Sequence, residues 1–335
     1  MKDCSTDILN HHDDQVTVSP KTRETLRCNR DANRDRLKRG LETNKKPKPD
    51  EFIIQGSYAM KTMTQHAKND YDIDDGAAFA EEKLKDRNGT PLTPQEAKEM
   101  VRDALIEGGG LNEDPIVKKN CVRVEYAAGH HVDVPVYRVK GTGPNASKEL
   151  AGEAWRDSSP TEITDWFRDV ETKTHKTGEV EPQLRRVVRL VKRYSRRNLE
   201  AKSPSGLILT VLAAEQHKIY DAREDRALRE TLRKIRGRLL ISKAVSNPAD
   251  QSELLTRDKD AERIDVLIDQ IVASLKTLDV LDKPNCRRSE ALKAWKDVLK
   301  TDYFDTEIEK AEEEERVEAE KAVVAFPHVA KPWSP

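Results

Sequence analysis

The 335-residue sequence predicts an α+β fold, with a mixed sheet in the first half of the chain and an all-helical second half. Apolar and polar residues alternate in short runs between residues 50 and 140, which is typical of strands. Beyond about residue 160 this alternation stops and apolar residues recur at helical spacing. At ~150 residues per domain, the length also predicts two packed lobes with a cleft between them.

Helix signals precede and interrupt the strand region. Residues 1–18 are polar and are expected to be loose. Ser19 and Pro20 mark a helix start, because a cap residue is followed by proline at the first helical position. That charged helix is expected to run to about Gly40. A second helix is predicted over residues 93–108, which begin with a capping-box pattern.

Strands are predicted in four places. A short apolar run at 52–54 opens onto a turn, and a second strand is predicted over 71–79. Residues 121–126 and 131–137 each alternate apolar and polar side chains, with Gly129 in the turn between them. These two segments are therefore expected to form an antiparallel hairpin within the sheet.

The second half of the chain is expected to be helical. Apolar residues lie on one helical face over 184–194, and further helices are predicted within 207–214 and 264–281. An acidic helix containing residues 312–315 leads into an extended end at 326–335.

Two domains follow from these signals. Residues 1–175 are predicted to form a core with an N-terminal helix, and residues 176–335 a helical domain with the acidic tail.

Composition narrows the possible partners. Lysine and arginine number 60 against 61 aspartates and glutamates, so the net charge of −1 indicates no need for a large nucleic acid. No apolar run approaches the roughly 18 residues of a membrane span, and no signal peptide is recognisable, so a soluble cytoplasmic protein without a membrane partner is expected. The 4 cysteines form no C-x-x-C pair and are expected to be reduced.

Three aspartates are the candidate catalytic residues. Asp72 and Asp74 are two positions apart on a predicted strand, so their side chains share one face, whereas Asp75 points to the other. Asp133 lies within a strand whose neighbours all indicate a buried sheet. Because an uncompensated carboxylate there costs several kcal/mol, a partner cation is expected.

This arrangement predicts a divalent-metal site beside a phosphate-binding turn. Carboxylate oxygens suit Mg²⁺, and three carboxylates can hold two such ions, with Mn²⁺ as a substitute. Two ions can activate an attacking hydroxyl and stabilise the departing pyrophosphate. The turn at Gly56 and Ser57 would offer backbone N–H groups and a hydroxyl to a triphosphate.

The ordered motifs also resemble a known family. They are QGSY at 55–58, YDIDDG at 71–76, CVRVE at 121–125, HVDVPVY at 131–137, TDWF at 164–167, LRRVVRLVKRY at 184–194 and PSGL at 204–207. In this order they resemble the bacterial CD-NTases, the cGAS/DncV-like nucleotidyltransferases, and most closely the branch of the bacterial cyclic GMP-AMP synthases. The resemblance covers roughly residues 50–215.

The resemblance implies a polymerase-β-like nucleotidyltransferase lobe joined to an oligoadenylate-synthase-like helical lobe. It implies ATP and a second nucleoside triphosphate, favouring GTP, as substrates, and a cyclic product, favouring 3′,3′-cyclic GMP-AMP. A separate effector would sense this product in CBASS antiviral signalling. The metal ligands it implies are Asp72, Asp74 and Asp133. The resemblance also implies that Gln55 and Ser57 lie near the donor nucleotide and that Lys192 and Ser205 lie on the helical side of the pocket. With Gly56 of the turn, these are the predicted nucleotide-binding residues.

Several neighbouring residues are left out of the predicted site. Apart from Lys192, the basic residues of 185–197 are interpreted as a solvated helix face. His130 and His131 lie at a hairpin without a nearby cysteine, so a metal role for them is not favoured. Gly206 stands where the family has a serine, and Asp250 aligns too loosely to be included.

Two other functions stay open. The first is linear addition, as by oligoadenylate or RNA-terminal nucleotidyltransferases, against which the near-zero net charge argues weakly. The second is an inactive, nucleotide-sensing, antitoxin-like module, against which the presence of all three aspartates argues.

Overall fold

The computed structural model describes residues 1–66, 70–143, 146–175 and 181–325. Within these ranges the chain forms one eight-stranded sheet and eleven α-helices, and the predicted α+β class is confirmed. The strands are β1 (Glu51–Gln55), β2 (Asp72–Ala80), β3 (Ile116–Val117), β4 (Val122–Glu125), β5 (His131–Val134), β6 (Val136–Lys140), β7 (Ser147–Ala151) and β8 (Trp155–Asp157).

The helices alternate with the strands at first and then follow one another without interruption by a strand. They are α1 (Ser5–His11), α2 (Pro20–Thr43), α3 (Gly56–Ala59), α4 (Pro94–Glu107), α5 (Glu162–Thr174), α6 (Gln183–Leu199), α7 (Gly206–Gln216), α8 (Glu224–Ile241), α9 (Ala261–Leu278), α10 (Arg288–Leu299) and α11 (Asp305–Ala325).

The sheet has the order β3-β4-β5-β2-β6-β7-β8, and β1 also pairs with β2. β2 is antiparallel to β1 and parallel to both β5 and β6. The predicted hairpin is present as the antiparallel pair β4 and β5. The expected continuous strand at 131–137 is wrong, because Pro135 has no N–H for the ladder and separates β5 from β6. The Pro135 carbonyl instead accepts a hydrogen bond from Ala77 N at 2.8 Å.

The two predicted helices of the first half are confirmed. Ser19 Oγ accepts a hydrogen bond from Thr22 N at 3.1 Å at the start of α2, and α4 begins with a complete capping box. The two helices pack closely at Gly40, where an added Cβ would lie 1.8 Å from Ala104 O. A larger residue at Gly40 would therefore separate α2 from α4. Their buried faces form one hydrophobic cluster with the sheet.

A second hydrophobic cluster holds the helices from α5 onward together. The predicted apolar face of residues 184–194 lies in α6, where Leu184, Val188 and Tyr194 are fully buried. The other two predicted helical segments lie in α7 and α9. The acidic α11 is present as expected, whereas the predicted extended end at 326–335 lies outside the described residues.

The expectation of a loose N-terminus is wrong. Residues 5–16 form α1 and a π-helical turn, and Cys4, Ile8 and Val16 are buried in the cluster of the second half. Cys4 N also donates to Asp225 Oδ2 at 2.9 Å. Asp7 of α1 also accepts hydrogen bonds from Arg288 of α10, so both apolar and polar side chains attach this segment to the helices.

The predicted domain boundary at residue 175 stays a prediction. The packing, however, places α1 and Phe167 of α5 with the helical cluster rather than with the sheet. Within the described residues, no helix is both long and apolar enough to span a membrane.

Candidate active site

Two neighbouring strands bring the predicted aspartates together. In the parallel pairing of β2 and β5, Asp72 lies opposite His131 and Asp74 lies opposite Asp133. The Asp72 side chain is half exposed, Asp74 is half-buried, and Asp133 is only 7% exposed. The expected geometry of two carboxylates on one strand face and a third on the next strand is therefore present.

Asp133 has a cationic partner from the protein itself. Arg123, opposite Asp133 on β4, donates from Nε to Oδ1 at 2.7 Å and from Nη2 to Oδ2 at 2.8 Å. Asp133 in turn raises the pKa of Arg123. The expected partner cation of Asp133 is thus a guanidinium, and burial of Asp133 does not by itself require a metal ion.

Asp74, in contrast to Asp133, lies among negative charges. Burial, together with the nearby charges of Asp72 and Asp133, raises the pKa of Asp74 to about 8. Two groups oppose this shift only partly, His131 and Arg123. A carboxylate crowded by like charges gains free energy when a cation enters, so this part of the site fits a divalent ion.

A possible set of metal ligands includes a residue that the sequence analysis set aside. One ligand atom each of Asp72, His131 and Asp133 lies within 4.8 Å of the other two. His131 Nε2 also lies 3.3 Å from Asp72 Oδ1, which raises the pKa of His131. His130 instead stacks on Tyr126 at 4.8 Å, away from this group. The ligand set Asp72, Asp74 and Asp133 stays a prediction.

The turn after β1 depends on glycine. Gly56 has a φ of +67°, and an added Cβ would lie 2.3 Å from Asp74 Oδ2. Gln55 precedes it, and its Oε1 accepts a hydrogen bond from Tyr137 OH at 3.0 Å. The turn carrying Ser57 is thereby held directly against the Asp74 carboxylate.

A cavity of about 860 Å³ lies between this turn and the helices. Six predicted site residues line it, whereas Asp133 and Ser205 are not among its lining residues. Those from the sheet side include Gln55, Gly56, Ser57, Asp72, Asp74, Tyr137 and Arg156, and those from the helical side include Lys192, Arg196, Ser203, Gly206, Asn247 and Asp250.

Ser205 has a different place from the one predicted. Its Oγ accepts a hydrogen bond from Ile208 N at 3.3 Å, so it is the N-cap of α7. Its neighbours Pro204 and Gly206 line the cavity instead. A serine at the start of a helix satisfies the helix first, and the sequence pattern alone cannot separate this role from ligand binding.

Lys192 faces the carboxylates from the helical side. Its side chain is buried, and Nζ donates to Thr62 Oγ1 at 3.1 Å and Thr62 O at 3.3 Å. Burial, with the nearby Arg196 and Arg189, lowers the pKa of Lys192 to about 7. These partners are neutral, so an entering anion would stabilise the ammonium form.

Only some of the other basic residues of α6 form the solvated face that was predicted, since Arg196 and Arg197 are exposed whereas Arg189 is buried. Arg189 is 3% exposed and ion-paired with Glu181, and Arg185 is ion-paired with Glu171. Arg196 is exposed and lines the cavity. The pattern was misleading because the acids that pair with these arginines come from other segments.

Sequence reasoning also missed the cavity residues Thr62, Tyr137 and Arg156. No pattern signalled Thr62 or Arg156, whereas Tyr137 ends a motif already noted. Both walls of the cavity carry charges of both signs, and the cavity brings the carboxylates of Asp72 and Asp74 into the same space as the cation Lys192. This combination suits a triphosphate with a divalent ion.

The comparisons with known proteins agree with this geometry. Residues 50–137 match the model of the nucleotidyltransferase domain of DncV-like cyclic GMP-AMP synthases. A cyclic GMP-AMP synthase of Escherichia albertii is 27% identical over 242 residues, which are 68% of this chain and 52% of that protein. The match thus spans about half the length of that relative.

Solved structures share the fold at low identity. The CD-NTase CdnG of Bradyrhizobium diazoefficiens, in complex with GTP, has a TM-score of 0.67 at 14% identity, covering 92% of this chain and 98% of that one. DncV of Vibrio cholerae, in complex with the linear intermediate 5′-pppA(3′,5′)pG, has a TM-score of 0.66 at 15% identity, covering 88% and 94%. Fold and site define a nucleotidyltransferase of the DncV-like class. Residues 50–137 carry the match to that domain, and the chain as a whole is similar in fold to the bacterial CD-NTase CdnG.

Proposed function

We propose that this protein is a divalent-metal-dependent enzyme that joins ATP to a second nucleoside triphosphate and closes the product into a ring. GTP is the favoured second substrate and 3′,3′-cyclic GMP-AMP the favoured product, sensed by a separate effector in CBASS antiphage signalling. The observation that carries the proposal is the opposition of Asp72 and Asp74 to the buried Lys192 across one cavity.

Each transfer is an in-line displacement at phosphorus. The acceptor 3′-hydroxyl forms a bond to the donor α-phosphorus, the bond to pyrophosphate breaks, and the hydroxyl proton passes to solvent. Two Mg²⁺ ions, or Mn²⁺ in their place, would neutralise the triphosphate and lower the pKa of the attacking hydroxyl when bound near Asp72, Asp74 and Asp133.

The residues of the chain supply the positioning. The Gly56–Ser57 turn offers N–H groups and a hydroxyl on the carboxylate side, and Lys192 offers its ammonium group on the helical side. The cavity volume of about 860 Å³ is in the upper part of the range for ligand sites, as two nucleotides require. After one transfer, the linear intermediate would turn over in the same cavity.

Relatives support the choice of nucleotides. The structure of Vibrio cholerae DncV contains a linear intermediate of adenosine and guanosine, and that of Bradyrhizobium diazoefficiens CdnG contains GTP. The CdnC of Escherichia coli MS115-1 is described with ATP. ATP with GTP is therefore the pair to test first.

The deciding experiment incubates the purified protein with all four nucleoside triphosphates and Mg²⁺ or Mn²⁺, without RNA. A phosphatase-resistant product containing adenosine and guanosine, identified by mass spectrometry, is expected. Asp72→Asn should abolish it, whereas Asp103→Asn, a change at an exposed aspartate on α4, should not. Products that phosphatase attacks would favour linear addition. Nucleotide binding without any product would favour the inactive module.

A further inference from the structure

The loop that follows the Gly56–Ser57 turn is bound by residues that do not line the cavity. This loop, here called the α3 loop (residues 60–65), contributes Thr62, Met63 and Thr64 to the cavity lining. Thr62 N donates to Ser57 O at 2.9 Å, so the position of the loop sets the position of the turn. Lys61 has a φ of +56°, the left-handed conformation common after a helix end, and its N–H donates to Tyr58 O at 3.1 Å.

Arg189 of α6 binds the backbone carbonyl of Lys61. Its Nε and Nη2 donate to Lys61 O at 3.0 and 2.6 Å, and its Nη1 and Nη2 each donate to Glu181 at 2.8 Å. The arginine is 3% exposed, and it does not line the cavity. Its planar group thus ties a backbone carbonyl of the α3 loop to a carboxylate, a geometry that the single ammonium of lysine cannot reproduce.

The N-terminal segment holds the same loop from a second side. Gln65 N donates to Val16 O at 2.8 Å, and Gln65 Nε2 donates to Thr17 O at 2.7 Å. His12 Nδ1 lies 2.7 Å from Asp13 Oδ1, which leaves Nε2, 3.4 Å from Arg189 Nη1, as an acceptor. The α3 loop is therefore fixed between α6 and the N-terminal segment.

We propose that Arg189 is a positioning residue for the nucleotide-binding turn. By holding Lys61 O, it fixes Thr62 and, through Thr62 N, the backbone at Ser57, so that the turn and Lys192 face the same triphosphate. Lys192, one turn further along α6, contacts Thr62 O and so depends on the same loop position. This role rests on the proposed function, because a nucleotide must occupy the cavity for the positioning to matter.

The test compares Arg189→Met with the matched variant Arg185→Met in the full chain. Arg185 is one turn earlier on α6 and is ion-paired at 2.6 Å to Glu171 and at 3.6 Å to Glu181, so it shares one carboxylate with Arg189. Among the described contacts, it donates no hydrogen bond to the α3 loop. Amide hydrogen exchange at Lys61 and Thr62 should accelerate about tenfold in Arg189→Met, as expected when a hydrogen bond from a charged group is lost. Exchange in α9 should not change.

Nucleotide binding provides the second readout. The Kd for a non-hydrolysable ATP analogue with Mg²⁺ should rise about tenfold in Arg189→Met, since the turn is no longer pre-organised. Arg185→Met should bind like the wild type. Arg189→Lys keeps the buried charge, so this variant should fold but should recover only part of the wild-type affinity. It therefore separates positioning from stability if Arg189→Met does not fold.

The outcomes separate this inference from the proposed function. Unchanged exchange at Lys61 and Thr62, or equal effects of the Arg189 and Arg185 variants, would overturn the positioning role. A wild-type protein that binds the analogue but makes no product would contradict the proposed function alone, because exchange and analogue affinity still decide on Arg189.

Discussion

The two faces of β2 treat their carboxylates differently. On one face, Asp75 is 2% exposed and accepts hydrogen bonds from Arg34 Nε and Nη2 at 2.7 and 2.6 Å. On the other face, Asp74 lies near Asp72 and Asp133, and burial with their charges raises its pKa. Adjacent residues of one strand thus carry a compensated and an uncompensated carboxylate.

This difference separates a structural acid from a binding one. A buried charge with a fixed guanidinium partner stabilises the fold only while both partners are present. A charge crowded by like charges costs stability until a cation arrives. Asp133 is both a compensated and a crowding carboxylate. Arg123 compensates the charge of Asp133, and that charge also raises the pKa of Asp74.

The largest expected effect is a loss of activity on the face of β2 that carries Asp74, here called the crowded face. Asp74→Asn should lower the rate of product formation about 10³-fold or more, because stabilisation of transition-state charge by a metal is worth several kcal/mol. Rates with saturating Mg²⁺ and nucleotides measure this loss. A decrease of less than about tenfold would show that the crowded carboxylates are not the reacting site.

On the compensated face the loss should be one of stability. Arg34→Met leaves Asp75 buried without its partner and should lower the free energy of unfolding by about 3–5 kcal/mol. Denaturant unfolding measures it. The double variant Arg34→Met/Asp75→Asn should recover part of the loss, and an additive double variant would contradict the pairing.

Lys192→Met tests the wall that opposes the crowded face. At pH values below about 7, where the wild-type lysine is charged, the variant should bind an ATP analogue about tenfold more weakly. Because the pKa of Lys192 is lowered to about 7, wild-type affinity should fall as the pH rises above that value, whereas the variant should show a flatter profile. Titration calorimetry across this range checks both statements, and parallel profiles would exclude Lys192 as the titrating group.

The last expected effect is a gain in stability. The folded-state pKa of Asp74 is raised from 3.8 to about 8, so within this window the folded chain binds more protons than the unfolded chain and loses stability as the pH rises. In EDTA, Asp74→Asn should therefore be more stable than the wild type at pH 8, with the difference vanishing toward pH 4. Thermal unfolding at several pH values checks the trend, and Asp75→Asn should instead destabilise the protein.

Local patterns predicted the elements whose cause is local. The start of α2 at Ser19-Pro20 and the capping box of α4 are satisfied within a few residues, so they were readable from the chain. The break at Pro135 was also local but was overlooked, because the alternation on both sides continues through it. The N-terminal segment could not be predicted, since its anchor is the distant helical cluster.

The sequence by itself determined the α+β class, the order of the motifs and the shared face of Asp72 and Asp74, because strand periodicity and chain order are properties of the chain alone. Only the tertiary structure decided which charges are compensated. Arg123 pairs with Asp133, Arg34 with Asp75 and Arg189 with Glu181, and these partners are between 8 and 41 residues apart. The free energy of a buried charge depends on what lies within a few ångströms of it, and chain folding alone sets that environment.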